Sequence, residues 1–233
     1  MLNEITTKND SGGLMQILHF SDTHNNRRAT SAVVRIAQKW TNSIVTVTGD
    51  VCNGPYQIAH SMFNNLSNPH IFFVRGNHDQ IPQIQFFNMP PAVKWQAPYL
   101  VNLNSCVLVG LDSEKNNISN QLLKITPKSK RIQKKVLIIL HHRPFSELLK
   151  REIISWANRY LPRIVSIALL HGHEHYIRDF YAEFSEENLE GINIITSHVY
   201  SANTSINPIV IGCANLLTLD NNGNVSIQTI YDT

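Results

Sequence analysis

The chain has 233 residues, of which 42% are hydrophobic and 16% charged; this is enough apolar material for one large core, and it excludes global disorder. The formal charge of +3 at pH 7 is too small to argue for a nucleic-acid partner. Three cysteines, Cys52, Cys106 and Cys213, lie far apart without a Cys-x-x-Cys spacing, which indicates neither a zinc ribbon nor a disulfide framework and fits reduced thiols in a cytoplasmic protein.

Residues 1–13 are polar and end in Gly-Gly, and are expected to be a disordered extension ahead of a single domain over 14–233. No signal peptide is visible, and no apolar stretch approaches the roughly 20 residues that span a bilayer. Ile17–Phe20 reads as a strand that stops at Ser21-Asp22-Thr23-His24. Residues 29–40 carry apolar positions at helical spacing; Ile44–Val47 is the next strand and ends at Gly49-Asp50. Residues 56–66 predict a second helix, and Ile71–Val74 a strand that opens into Gly76-Asn77-His78-Asp79. The proline-rich segment 82–98 reads as irregular, and Tyr99–Leu103 with Cys106–Leu111 as a hairpin. Residues 113–135 are polar and basic and read as a solvated helix and loop.

Val136–Leu140 meets His141-His142-Arg143-Pro144, a helix follows over 146–159, and the strand 165–170 leads to His171-Gly172-His173-Glu174-His175. Tyr176–Phe184, Ile192–Ser197 and Ala214–Leu219 predict further strands, with Asn222-Gly223 as a hairpin turn into Val225–Tyr231. Strands alternating with helices predict parallel or mixed sheets with helices on their faces. The expected fold class is therefore α/β, a four-layer α-β-β-α sandwich of two mixed sheets.

Five apolar runs thus end in polar clusters: Asp22 and His24, Asp50, Asn77-His78-Asp79, His141-His142, and His173 with His175. Ligands of α/β sheets bind beyond the carboxyl ends of strands, so five such ends at one edge would build a metal site. Asp, His and Asn without thiolate suit borderline first-row metals, and the set is too large for one tetrahedral ion. Two ions bridged by a carboxylate would use all of it.

In their order and spacing, Asp22-x-His24, Gly49-Asp50, Gly76-Asn77-His78-Asp79, His141 and Gly172-His173-x-His175 resemble the calcineurin-like metallophosphoesterases. The resemblance implies that Asp22, His24 and His175 hold one metal, that Asn77, His141 and His173 hold a second, and that Asp50 bridges them. His141 is taken over His142 because the family's ligand is usually the first residue after the strand. His78 would sit at the scissile phosphate and protonate the leaving oxygen, with Asp79 orienting it. Arg75, His142 and Arg143 would meet substrate. His19, His60, His70, His171 and His198 are assigned structural or surface roles, with His198 within reach of the rim.

The implied activity is hydrolysis of a phosphoric ester by hydroxide activated between two divalent cations, with manganese first and iron, zinc, nickel or cobalt also accommodated. His141-His142-Arg143-Pro144 is similar to the His-His-x-Pro of the phosphodiesterase-like branch, so a small phosphodiester, of nucleotide origin for example, is the leading substrate. Val51-Cys52-Asn53-Gly54-Pro55 lacks the Arg that phosphoprotein phosphatases carry after the bridging Asp, which leaves phosphomonoesterase or protein phosphatase activity second. A nuclease and a scaffold without catalysis rank lower, since no nucleic-acid-binding segment stands out and the His motifs are intact. No membrane or nucleic-acid partner is expected.

Overall fold

Short apolar runs rich in β-branched residues form the strands, and amphipathic segments form the helices between them. The computed structural model describes residues 14–52, 63–79, 93–94, 96–103, 106–115, 117–125, 135–142, 146–161, 164–174, 182–201, 212–220, 222 and 224–232. Among these, the strands are β1 (Met15–Phe20), β2 (Ile44–Val47), β3 (Ile71–Phe73), β4 (Val93–Lys94), β5 (Tyr99–Asn102), β6 (Val107–Gly110), β7 (Lys135–Ile139), β8 (Ser166–His171), β9 (Ala182–Leu189), β10 (Ile192–Val199), β11 (Gly212–Leu219) and β12 (Val225–Asp232). The helices are α1 (Arg27–Lys39), α2 (Ile118–Lys124) and α3 (Glu147–Tyr160). Residues 63–65 are also helical and belong to the stretch where a helix over 56–66 was expected; the predicted N-terminal extension, residues 1–13, lies outside the described residues.

Two six-stranded sheets form, in the orders β12-β11-β1-β2-β3-β4 and β5-β6-β7-β8-β10-β9. In the first, β1 to β4 run parallel, β11 runs antiparallel to β1, and β12 is antiparallel to β11. In the second, β6, β7, β8 and β10 run parallel, with antiparallel strands β5 and β9 at the edges. Both sheets are mixed and flanked by helices, as the alternation of elements predicted.

The layers follow from strand pleat. Successive side chains leave a strand on opposite faces, so a strand buried on both faces reads as an unbroken apolar run. In β1, Ile17 faces the second sheet while Leu18 faces α1. Ile17, Ile44, Phe72 and Leu217 meet Tyr99, Leu108, Ile139 and Leu170 between the sheets. Outside the first sheet, α1 packs Val33, Ile36 and Ala37 on Leu18, Val45 and Val47. Its start is set by Asn26, whose side chain accepts from the amides of Arg28 and Ala29. Outside the second sheet, α3 packs Ile153, Ile154 and Trp156 on Val109, Ile138 and Leu169. Ser146 caps that helix, and no described helix is long and apolar enough to cross a membrane.

Two local expectations need correction. The strand expected at Tyr176–Phe184 is β9, which runs Ala182–Leu189; residues 175–181 are outside the described set. As an edge strand paired to β10 alone, it tolerates the polar run Ser185-Glu186-Glu187-Asn188 that hid it. Glu190 and Gly191 turn β9 into β10 with φ of 54° and 80°, the two positive values of a type I′ hairpin. Lys135, placed above in a solvated stretch, opens β7 and is 2% exposed, with Nζ 4.0 Å from Asp220 Oδ1. The β11–β12 hairpin forms, and the Asp220 carboxylate gathers the amides of Asn222 and Asn224 in its connection.

Candidate metal centre

Parallel strands deliver their carboxyl ends to one edge, and here two sheets share that edge. The first sheet contributes the loops after β1, β2 and β3, and the second those after β6, β7, β8 and β10. Hydrogen bonds lace them together: Asp22 N to Gly49 O, His24 N to Asp50 O, Gly172 N to His141 O and Ser201 N to Ser21 O, each 2.9–3.0 Å. Asp22, His24, Asn25, Asp50 and His173 all take φ between 45° and 72°. Such a conformation costs about 1–3 kcal/mol per non-glycine residue and persists where surrounding structure imposes it, which is typical of functional sites.

Gly49 makes the close approach of these loops possible. Its φ is 99°, and a Cβ there would lie 2.5 Å from Gly76 N and 2.8 Å from His141 Nδ1. Gly49→Ala is expected to destabilise the chain by at least about 2 kcal/mol and to lower its metal content, because the β2, β3 and β7 ends must separate. Thermal unfolding and metal analysis of the purified variant check this.

Asp50 is central. It is 1% exposed, and its Oδ1 accepts from His78 N at 2.9 Å. Its Oδ2 lies 3.3 Å from His141 Nε2, 3.9 Å from His24 Nε2 and 4.0 Å from His78 Nε2. On one side His24 Nε2 is also 3.6 Å from Asp22 Oδ1. On the other, Asn77 Oδ1 lies 3.0 Å from both His141 Nε2 and His173 Nδ1, and these two nitrogens are 3.2 Å apart. Potential donor atoms therefore form overlapping groups: His24, Asp50 and His78; Asp22, Asp50 and His141; His141, His142 and His173.

Their chemistry asks for a cation. His141 Nδ1 lies 2.7 Å from the carbonyl of Thr48, which only accepts, so Nδ1 carries the hydrogen. In the neutral ring Nε2 then offers a lone pair to Asn77 Oδ1 and Asp50 Oδ2, which are acceptors as well. Asp50 Oδ2 is buried without a hydrogen-bond donor. Burial opposes charge on His141, yet Asp50 and Asp22 outweigh it and push its pKa up to about 9, so without a cation a proton on Nε2 answers the Asp50 carboxylate, in the place a bound cation would take. Burial likewise opposes charge on Asp50, and His141 holds that carboxyl below its ordinary range. Lone pairs and buried carboxylates converging in this way fit divalent ions well.

The other predicted residues fall into place around this cluster. Asp79 is buried and accepts from Gly76 N and Cys52 N, both at 2.8 Å, so it acts on the loop that carries His78. Burial, opposed by those two amides, pushes its pKa up to about 6. Arg75 directs Nε to both oxygens of Asp112, at 3.1 and 3.0 Å. His142 turns toward Ser113 and Glu114 at the rim. His175 and Arg143 lie outside the described residues, as do His60 and Asn53. His19 and His171 are buried beneath the site, and His198, expected within reach of the rim, is 4% exposed with its ring 5.0 Å from that of His171. Burial, followed by His171 and His198, lowers the pKa of His19 well below its ordinary value.

Sequence reasoning missed Tyr200, whose ring lies 6.3 Å from that of His24. Its phenol is pushed up by burial and then by Asp22 and Asp50. Ser201 holds this turn, donating to Cys213 O and accepting from Ser21 N. The signal was available: Tyr200 follows β10, which is parallel to β8, so the strand-end rule applied to a sixth strand points to it. Asp112, Ser113 and Glu114, after β6, obey the same rule.

Buried carboxylates facing imidazoles and an amide, at the shared edge of two mixed sheets, form a candidate metal-binding centre, and the family match makes the chain a hydrolase that acts on phosphoric esters. The chain belongs to the calcineurin-like phosphoesterase family, whose model matches residues 15–176; that family uses divalent metal ions. No curated protein matches the chain. Among solved structures, one described as a novel archaeal phosphodiesterase is similar at a TM-score of 0.53 and 14% identity, covering 93% of this chain and 100% of its own. The protein TT1561 of Thermus thermophilus is similar at 0.56 and 13% identity, covering 94% and 99%. At such identities the likeness is one of fold.

Proposed function

We propose that the chain is a single-domain phosphodiesterase for a small phosphodiester, with two divalent cations, manganese by preference, at the edge described. Asp22, His24 and His175 hold one cation, Asn77, His141 and His173 the other, and Asp50 both. The observation that carries this reading is Asp50 Oδ2, buried without a donor and faced by the Nε2 atoms of His24, His78 and His141. When bound, such cations neutralise phosphoryl charge and acidify water for in-line attack.

The residues of the chain do the rest. Thr48 fixes the tautomer of His141 through Nδ1, so Nε2 faces inward. His78 is tethered by its amide to Asp50 while its ring is 44% exposed, which leaves Nε2 open to a substrate. In that position it stabilises charge and delivers a proton to the leaving oxygen, and Asp79 holds its loop in register. The pairing of Arg75 with Asp112 makes it a brace between the β3 and β6 loops, with its remaining guanidinium nitrogens available to phosphate. His142 lines the substrate side, and Arg143 is assigned to substrate binding from the sequence. The compartment is the cytoplasm, on the grounds of three buried free thiols.

The test is manganese-titrated hydrolysis of bis(p-nitrophenyl) phosphate and p-nitrophenyl phosphate side by side. The diester is expected to turn over faster. Strong monoester turnover with none of the diester overturns the substrate class and favours a phosphomonoesterase.

A further inference from the structure

Next to the centre lies a second small construction that the ligand roles do not use. Ser113 Oγ accepts from the amide of His142 at 3.0 Å and also lies 3.0 Å from His142 Nδ1. The hydroxyl hydrogen is thus available to Nδ1, which leaves the ring hydrogen on Nε2. Nε2 in turn lies 3.3 Å from Glu114 Oε1. The His142 ring lies tilted 4.2 Å from that of His173 and edge-on 5.0 Å from that of His141. Glu114 therefore stands one imidazole away from the cation-binding donors.

The backbone that carries Glu114 is anchored in its loop. Glu114 N donates to Asp112 Oδ1 at 3.2 Å, and Asp112 N and O both bond the Gln121 side chain at 2.8 Å. Asp112 is matched by Arg75 and by Lys115, whose Nζ is 3.3 Å from Oδ2. Among the described residues, the two cationic side chains of this loop cluster, Arg75 and Lys115, are thus directed to Asp112, while Glu114 faces His142.

We propose that Glu114, through its charge and its hold on His142, is the specificity-determining residue that favours phosphodiesters over phosphomonoesters at this site. The inference rests on the phosphoesterase reading above. A diester carries one negative charge, whereas a monoester or inorganic phosphate near pH 8 carries two. A carboxylate one imidazole from the cation-binding donors repels the second charge as well as the first, and the penalty grows with charge. The diester replaces that charge with a neutral ester arm, for which the Glu114–His142 rim leaves a hydrogen-bonding wall.

The test is Glu114→Gln, a conservative change at a side chain that is 26% exposed. In the manganese-loaded protein, the kcat/KM ratio of p-nitrophenyl phosphate to bis(p-nitrophenyl) phosphate is expected to rise about tenfold, mainly through the monoester KM. Calorimetric titration with inorganic phosphate is expected to show binding about fivefold tighter than in the parent. Equal changes for both esters, with phosphate affinity unmoved, would reduce Glu114 to a structural role and overturn the proposal. If the parent hydrolyses neither ester, the phosphoesterase reading fails on its own. Calorimetry then decides for Glu114: tighter phosphate binding by the variant upholds it, and unchanged or absent binding overturns it.

Discussion

Asp50→Ala is expected to empty the metal centre and to lower phosphodiester turnover by about a thousandfold or more, the scale of several kcal/mol of lost charge stabilisation. Asp50 joins both halves of the donor set, being near His24 on one side and His141 on the other. Its loss leaves Asp22 as the carboxylate of a cluster otherwise made of neutral donors. Asp50→Asn separates chemistry from folding: the amide oxygen still accepts from His78 N, which bonds Oδ1 in the parent at 2.9 Å, while the charge is gone. Metal analysis of both variants is expected to show the same depletion, with the Asn variant melting close to the parent. Retained metal and turnover in either variant would contradict the bridging role.

His78→Ala is expected to do the opposite to metal and the same to turnover. The His78 ring is 44% exposed and packs edge-on against His24 at 5.2 Å, so little of the core depends on it. Metal content should match the parent, while kcat falls by about 100- to 10,000-fold, the range for loss of a positioned general acid. KM is expected to change far less. A substrate with a good leaving group, such as a p-nitrophenyl ester, needs protonation less and should suffer less than an alkyl ester. A fully active variant would show that His78 transfers no proton, and a metal-free one that it is a ligand.

Much of this was readable in the chain because the strand ends announce themselves. Ile71-Phe72-Phe73 is a packing run, and Asn77-His78-Asp79 directly after it has no packing use. The same break marks Asp22, Asp50, His141 and His173, and parallel pairing then forces them to one edge. What was not legible depends on partners distant in sequence. Nothing local reveals that Arg75 meets Asp112, or that Asp79 bonds the amide of Cys52. Lys135 looked solvated because its neighbours are polar, and only the register of β7 beside β8 takes it inside. The C-terminal part of β9, residues 185–189, escaped notice because an edge strand need not alternate in polarity. Tyr200 and Glu114 were overlooked for a different reason: they follow parallel strands whose ends carry no recognisable motif.

The most direct test of the account is a manganese titration of chelator-stripped protein, following metal bound per chain and hydrolysis of bis(p-nitrophenyl) phosphate together. No activity is expected in the stripped protein, with a return that saturates as two ions bind per chain. Activity that survives complete stripping, or full occupancy by divalent ions without hydrolysis of any phosphoric ester, would contradict it.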